Sequence, residues 1–295
     1  MQRKTAADFP PEVLRLFDGY VHGNITRREF LDGAARYATA GASAAAMLQM
    51  LQPNFAWAQQ VAKDDKRIKA RYQEYPSPQG SGTMRGYLAT PANGKSSGCI
   101  VVIHENRGLS PYIEDVARRL AVEGYVALAP DALFPLGGYP NDEEKAGEMF
   151  SKLDRVKSRE DLIAAVPYLQ SRPDCNGKVA AIGFCFGGGI ANLMATRFPD
   201  LAGAVSYYGA QPKPEDAARI RAPILAHYAG EDPRTNAGIP AFESALKANG
   251  VKAEIYVYPG TYHGFHNDTT PRYDEAAARL SWQRTLAFFK QNLKG

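Results

Sequence analysis

"GFCFGGG", Gly183–Gly189, follows the apolar run "KVAAI" and leads into "IANLMATRF". A strand that passes through a tight glycine turn straight into a helix is the setting of a nucleophile elbow, G-x-S-x-G, with Cys185 where serine usually stands. Gly183 and Gly187 omit side chains where strand and helix approach most closely, and turns this sharp often hold the central residue in strained backbone. The free N–H groups and dipole at the start of the next helix favour a thiolate over a thiol. On these seven residues alone, a working nucleophile and a small buried residue at a strand end are equally good readings.

Outward from the elbow, continuous apolar runs alternate with amphipathic stretches. "RGYLATP", "CIVVIHE", "YVALAP", "GAVSYYG", "PILAHYAG" and "AEIYVYPG" read as further strands. "YIEDVARRLAVEG", "REDLIAAVPYLQSR", "PEDAARIRA", "AFESALKANG" and "EAAARLSWQRTLAFFKQNL" read as helices. Fully apolar strands between helices indicate an α/β fold, a mainly parallel sheet covered on both faces. This unit spans residues 61–295, after an alanine-rich helical segment over residues 1–60.

A thiol nucleophile needs a base, and the base needs an acid to fix its tautomer. After the strand "PILAHYAG" the chain offers Asp232, with Glu231 as rival. After "AEIYVYPG" it offers His263, with His266 as rival. Both positions follow strand C-termini, where open α/β sheets carry their sites. The shorter Asp232 and the earlier His263 are preferred. Oxyanion donors are expected from the N–H of Phe186 and from Asn106 in "ENRG" after "CIVVIH". Glu105 in that loop is electrostatically unusual.

The 295 residues are 45% hydrophobic and 22% charged, with a net charge of +4 spread along the chain, so no nucleic-acid footprint is present. Three cysteines argue against a disulfide framework. Cys99 reads as a buried small hydrophobe and Cys175 as a turn residue. No spacing indicates a metal site, and no metal or organic cofactor is called for.

In the front segment, Arg27-Arg28, Phe30-Leu31, a weakly apolar run and Ala56-Trp57-Ala58 resemble a twin-arginine export signal with a cleavage site before Gln59. This reading places the protein in the periplasm. The alternative is a retained helix in a cytoplasmic protein, since Thr26 and Glu29 form a capping box, and "FPPEVLRLFDGYVHG" reads as a helix closed by Gly23. Arg36 and Gln49 interrupt the apolar run, so no stable membrane span is expected. Such helices could also mediate a homo-oligomer.

With "GFCFGGG", "HENRG", Pro130-Asp131, "SYYG", "AGEDPR" and "YHGF" in this order, the chain over residues 67–295 resembles the dienelactone hydrolases (carboxymethylenebutenolidases), the cysteine-using branch of the α/β-hydrolases. The resemblance implies an ester or lactone hydrolase with Cys185, His263 and Asp232 as its triad and a thioester intermediate. It gives Glu105 the role of holding the resting thiol and helping to generate the thiolate. Two arginines that bind the substrate carboxylate in the founding enzymes are missing from their positions, where Pro135 and His266 stand. Neutral esters are therefore expected to be preferred, with Arg107 and Arg234 as substitute cations. Tyr112, Phe134, Tyr208, Phe265 and His266 are candidate pocket residues. Two other classes stay open: a thiol-based redox protein, and a non-enzymatic assembly protein built on the front helices.

Overall fold

A computed structural model describes residues 3–38 and 42–294. Thr39, Ala40 and Gly41 of the alanine-rich run lie outside the described residues. The front segment forms α1 (Pro11–Val21), α2 (Arg27–Ala34) and α3 (Ala44–Leu51). The strands and helices after it alternate as β1 (Ile68–Ser77), β2 (Gly82–Pro91), β3 (Cys99–Ile103), α4 (Pro111–Val122), β4 (Val126–Pro130), α5 (Glu143–Ser151), α6 (Arg155–Ile163), α7 (Ala165–Gln170), β5 (Val179–Phe184), α8 (Phe186–Arg197), β6 (Gly203–Tyr207), α9 (Pro214–Ala217), β7 (Ile224–Ala229), α10 (Pro233–Asn236), α11 (Ile239–Ala248), β8 (Ala253–Tyr258) and α12 (Glu275–Leu293).

One eight-stranded sheet has the order β1-β2-β4-β3-β5-β6-β7-β8. β3 to β8 run parallel to their neighbours, while β1 and β2 are antiparallel additions at one edge. The central strands β3, β4, β5, β6 and β7 are buried at every position, which is why their sequences carry no alternation. β1 escapes the sequence reading because it is an edge strand: "IKARYQEYPS" exposes its charged residues and shows no apolar run. In "PEDAARIRA" only Pro214–Ala217 is helical.

Cys99 and Cys175 form a disulfide, with Cα atoms 5.8 Å apart. This corrects the expectation drawn from an odd cysteine count. β3 and β5 are neighbours, Cys99 pairs with Val179 at the start of β5, and the turn before β5 carries Cys175 to the same end. Cys185, at the other end of β5, is the remaining free cysteine. That placement removes Cys175 as a resolving thiol for Cys185.

The front helices form an arm with its own core: Val13, Leu14 and Phe17 of α1, Phe30 of α2 and Leu48 and Leu51 of α3 are buried together, with Tyr262 of the α/β body packed against them. α2 starts on the Thr26–Glu29 capping box. Gly23, at φ +74°, turns the chain after α1. The link to the body is buried rather than loose. Asp115 of α4 accepts hydrogen bonds from the Gln60 and Val61 amides and from Arg118 and Arg119. Asn54 N donates to Thr269 O at 2.7 Å. Ala58, in the candidate cleavage site, is buried. Among the described residues, no helix is long and apolar enough to cross a membrane.

Candidate active site

The site is assembled from loops at the C-terminal ends of four parallel strands. β5 ends at Phe184, and Cys185 follows at φ +55°, a strained conformation for a residue with a side chain. A Cβ on Gly183 would strike the Gly187 carbonyl, and one on Gly187 the Ile103 carbonyl, so only glycine lets α8 start this close to β5 and β3. Phe186 is the first residue of α8, where N–H groups lack intrahelical partners. β3 delivers Glu105, Asn106 and Arg107.

β7 delivers Asp232, the N-cap of α10. Its Oδ1 accepts from Thr235 N at 3.1 Å, which leaves Oδ2 to accept from His263 Nδ1 at 2.6 Å. The cap thus fixes the carboxylate before it meets the histidine. Glu231 is not the partner of His263, whose Nδ1 is taken by Asp232, and its amide donates to Thr261 O, stitching the β7 and β8 loops together. His263 Nε2 points to Cys185, its ring nitrogen lying within 4.8 Å of the sulfur.

A residue that sequence reasoning passed over completes this cluster. His22, at the end of α1 in the arm, brings Nε2 to 3.4 Å from Cys185 Sγ and 3.3 Å from His263 Nε2. Its Nδ1 donates to the Asp18 carbonyl at 2.7 Å, with the Asp18 carboxylate 3.2 Å away. Asn106 Nδ2 donates to Val21 O at 2.6 Å, tying the end of α1 to the loop after β3. The signal available in the sequence was local only: "HG" at a helix end, with nothing to connect it to residue 185.

The electrostatics follow from this packing. Burial disfavours a Cys185 thiolate, but the facing charges of His263 and His22, with their hydrogen bonds, outweigh it and hold the thiol well below its ordinary value. Burial likewise works against charge on His22, yet the sulfur and Asp18 push it up to about 10. His263 is raised against burial by Cys185 and Asp232. Glu105 is raised to about 7, first by burial and then by Cys185. Its Oε2 accepts from Asn267 Nδ2 at 2.8 Å. The sulfur's neighbours are therefore His22, at 3.4 Å, and His263, and Glu105 stands off as a group that repels a thiolate when charged.

The other candidate residues separate into two groups. Arg107 lines the cavity over Cys185, while Arg234 and Tyr208 line a cleft of about 730 Å³ beside it. Tyr112, Phe265 and His266 are buried beneath the site, where Tyr112 Oη bonds His266 Nδ1 at 2.7 Å and Phe265 packs on Tyr207 and Tyr258. Phe134 sits under Arg85, away from the cavity. These four are corrected from pocket residues to packing residues: Tyr112, Phe265 and His266 belong to the aromatic layer between the β8 loop and α4, and Phe134 packs against the core on the other face of the sheet. Arg272 was missed. It lines the cavity with Cys185 and Glu105, is nearly buried, and stacks on Phe17, and its Nε and Nη1 have no hydrogen-bond partner among the described residues.

The family model for dienelactone hydrolases matches residues 84–293. The chain belongs to the dienelactone hydrolase family. A second model, described as YqhI-like, matches residues 1–39. A Saccharolobus solfataricus protein assigned as a carboxymethylenebutenolidase is 36% identical over 246 residues, 70% of this chain and 94% of that one. The Escherichia coli hydrolase fragment YghX is 53% identical over 114 residues, 38% of this chain and 97% of the fragment. A Klebsiella pneumoniae crystal structure assigned as a dienelactone hydrolase superposes with a TM-score of 0.66 at 31% identity, covering 76% of this chain and 99% of that one. Family membership agrees with the mostly parallel sheet and with the strand ends at which the site lies.

Proposed function

We propose that this member of the dienelactone hydrolase family cleaves a small ester or lactone through a thioester on Cys185. The observation that carries the reading is the buried Cys185 sulfur at a strained elbow, facing a histidine whose other nitrogen is bonded to a capped aspartate. Cys185 Sγ attacks the acyl carbon, and the carbonyl electrons move to oxygen. The N–H groups of Phe186 and Asn106 bind that oxyanion. His263 Nε2 delivers a proton to the leaving alkoxide, then takes one from the water that hydrolyses the thioester. Asp232 keeps Nδ1 protonated throughout. A screen of esters, lactones and thioesters with intact-mass detection of an acyl adduct on Cys185 tests it. An active enzyme whose adduct maps elsewhere overturns it.

Glu105 provides a pH test. It titrates about 7, so above that pH it adds a negative charge beside the sulfur and the oxyanion position. In wild type, kcat/KM should decline as pH rises through about 7, and in Glu105→Gln that inflection should disappear. The variant should exceed wild type several-fold at about pH 8 and match it at about pH 6. An unchanged inflection would assign it to another group.

Arg272 alters the expectation for substrate choice. A carboxylate beside the scissile bond would meet Arg272, a nearly buried cation 4.0 Å from its acidic neighbour Asp18, with Arg107 on the same wall. A charge-assisted hydrogen bond is worth about 1.5–3 kcal/mol, roughly ten- to more than hundredfold in binding. The carboxylate analogue of a lactone should therefore have a higher kcat/KM than its neutral parent, with the preference lost in Arg272→Ala. If the neutral parent is favoured in wild type, the motif-based expectation stands instead.

We also propose that residues 1–58 stay on the working enzyme and that it is exported folded. The arm's buried core and His22 in the site support retention. The exposed Arg27-Arg28 pair is available to an export receptor, and the Cys99–Cys175 disulfide favours an oxidising compartment. Protein isolated from its native host should begin ahead of His22, and replacing both arginines by lysine should hold it in the cytoplasm. A mature chain starting at Gln59 would refute retention.

A further inference from the structure

His22, Cys185 and His263 turn three donor atoms on one point. All three lie within 4.8 Å of one another. His263 Nδ1 is committed to the Asp232 carboxylate at 2.6 Å and His22 Nδ1 to the Asp18 carbonyl at 2.7 Å. A carbonyl only accepts, so that nitrogen carries the hydrogen. In the neutral rings both Nε2 atoms are then bare lone pairs, 3.3 Å apart. Arg234 Nη2, 3.2 Å from His22 Nε2, can donate to one of these lone pairs, and a proton or a metal ion held between the nitrogens would satisfy both. An oxygen acceptor behind each ring is also how metal-ligating histidines are oriented.

The distances discriminate further. Zn–N bonds of about 2.0–2.1 Å and Zn–S bonds of about 2.3 Å at tetrahedral angles set ligand edges of roughly 3.3 Å for N–N and 3.5 Å for N–S. Two of the three observed edges match, at 3.3 Å between the nitrogens and 3.4 Å from His22 Nε2 to Sγ, and the third, from His263 to Sγ, lies within 4.8 Å. One thiolate and two imidazoles suit a borderline-soft divalent ion. Of the charged groups facing the point, Glu105, Asp18 and Asp232 favour a cation. Arg107 and Arg272 on the cavity wall oppose one, as does Arg234, whose Nη2 is 3.2 Å from His22 Nε2 but whose 45% exposed side chain is paired outward with Asp18 at 3.7 Å.

We propose that Cys185, His263 and His22 bind a divalent cation of the zinc class, with a fourth position open to the cleft, and that this cation reversibly blocks the thiol. Binding displaces the protons held among the three donors to solvent. The arm makes the site: without His22 only two ligands remain. The proposal goes beyond the hydrolase reading and fails separately from it.

The experiment uses the full-length protein, stripped with a chelator and titrated with Zn²⁺ and with Co²⁺. One equivalent of Zn²⁺ should bind, and Co²⁺ should give a sulfur-to-cobalt charge-transfer band with visible bands of tetrahedral intensity. His22→Ala should weaken Zn²⁺ by more than the ~10–100-fold typical of losing an outer partner. Circular dichroism checks its fold, and His22→Gln, which fills the same space, replaces it should alanine loosen the arm. Cys185→Ser should lose the charge-transfer band. No cobalt–sulfur band, or a Zn²⁺ affinity unchanged by both His22 variants, overturns the site. Tight binding in a protein whose chelator-stripped form turns over no ester keeps the metal site and removes the hydrolase reading. Ester turnover with no metal binding does the reverse.

Discussion

Cys185→Ala should abolish ester turnover, by ~10⁴-fold or more in kcat, while leaving the fold intact. Alanine loses only the sulfur, and at φ +55° it bears the same backbone strain as cysteine, so the elbow gains no new clash. Loss of a nucleophile removes the step on which the histidine and the oxyanion donors act, so their help cannot show without it. The measurement pairs initial rates on the best substrate with the thermal midpoint. Wild-type rates in a folded Cys185→Ala protein would take Cys185 out of the chemistry.

The second large effect belongs to a residue outside the familiar catalytic set. His22→Ala should raise the titration midpoint of the Cys185 thiol by about two units, since an opposite charge in contact shifts a pKa by 1–3 units. The sign follows from the ion pair. The His22 imidazolium, with a pKa of about 10, stabilises the thiolate and keeps it reactive at low pH. Without it, iodoacetamide alkylation should slow by up to about 100-fold at pH values below both midpoints, and the difference should close as pH rises past the new midpoint. His263 still faces the sulfur in the variant, so some depression of the thiol should remain. An unchanged alkylation profile would mean that His263 alone sets the thiol's ionisation and that His22 is packing.

Much of this protein is written locally. The central strands announce themselves because a sheet covered on both faces needs unbroken apolar runs, and Gly183 and Gly187 announce the elbow because no other residue fits there. Asp232 and His263 are legible because a parallel sheet gathers the residues just past its strand ends on one side, whatever their separation in sequence. Tertiary packing decided the rest. Tyr112, Phe265 and His266 looked like pocket aromatics, and only the layer between α4 and the β8 loop makes them core. Cys99 and Cys175 meet because β3 and β5 are neighbours, which an odd cysteine count hid. The arm's capping box and closing glycine fixed its helices, but not where they dock. His22 reaches a sulfur 163 residues away only because the apolar face of α1 is buried in the arm's core while Asn106 holds Val21. Periodicity encodes which face of a helix is apolar; which surface that face covers, and so which histidine meets the thiol, is settled by packing between parts distant in sequence.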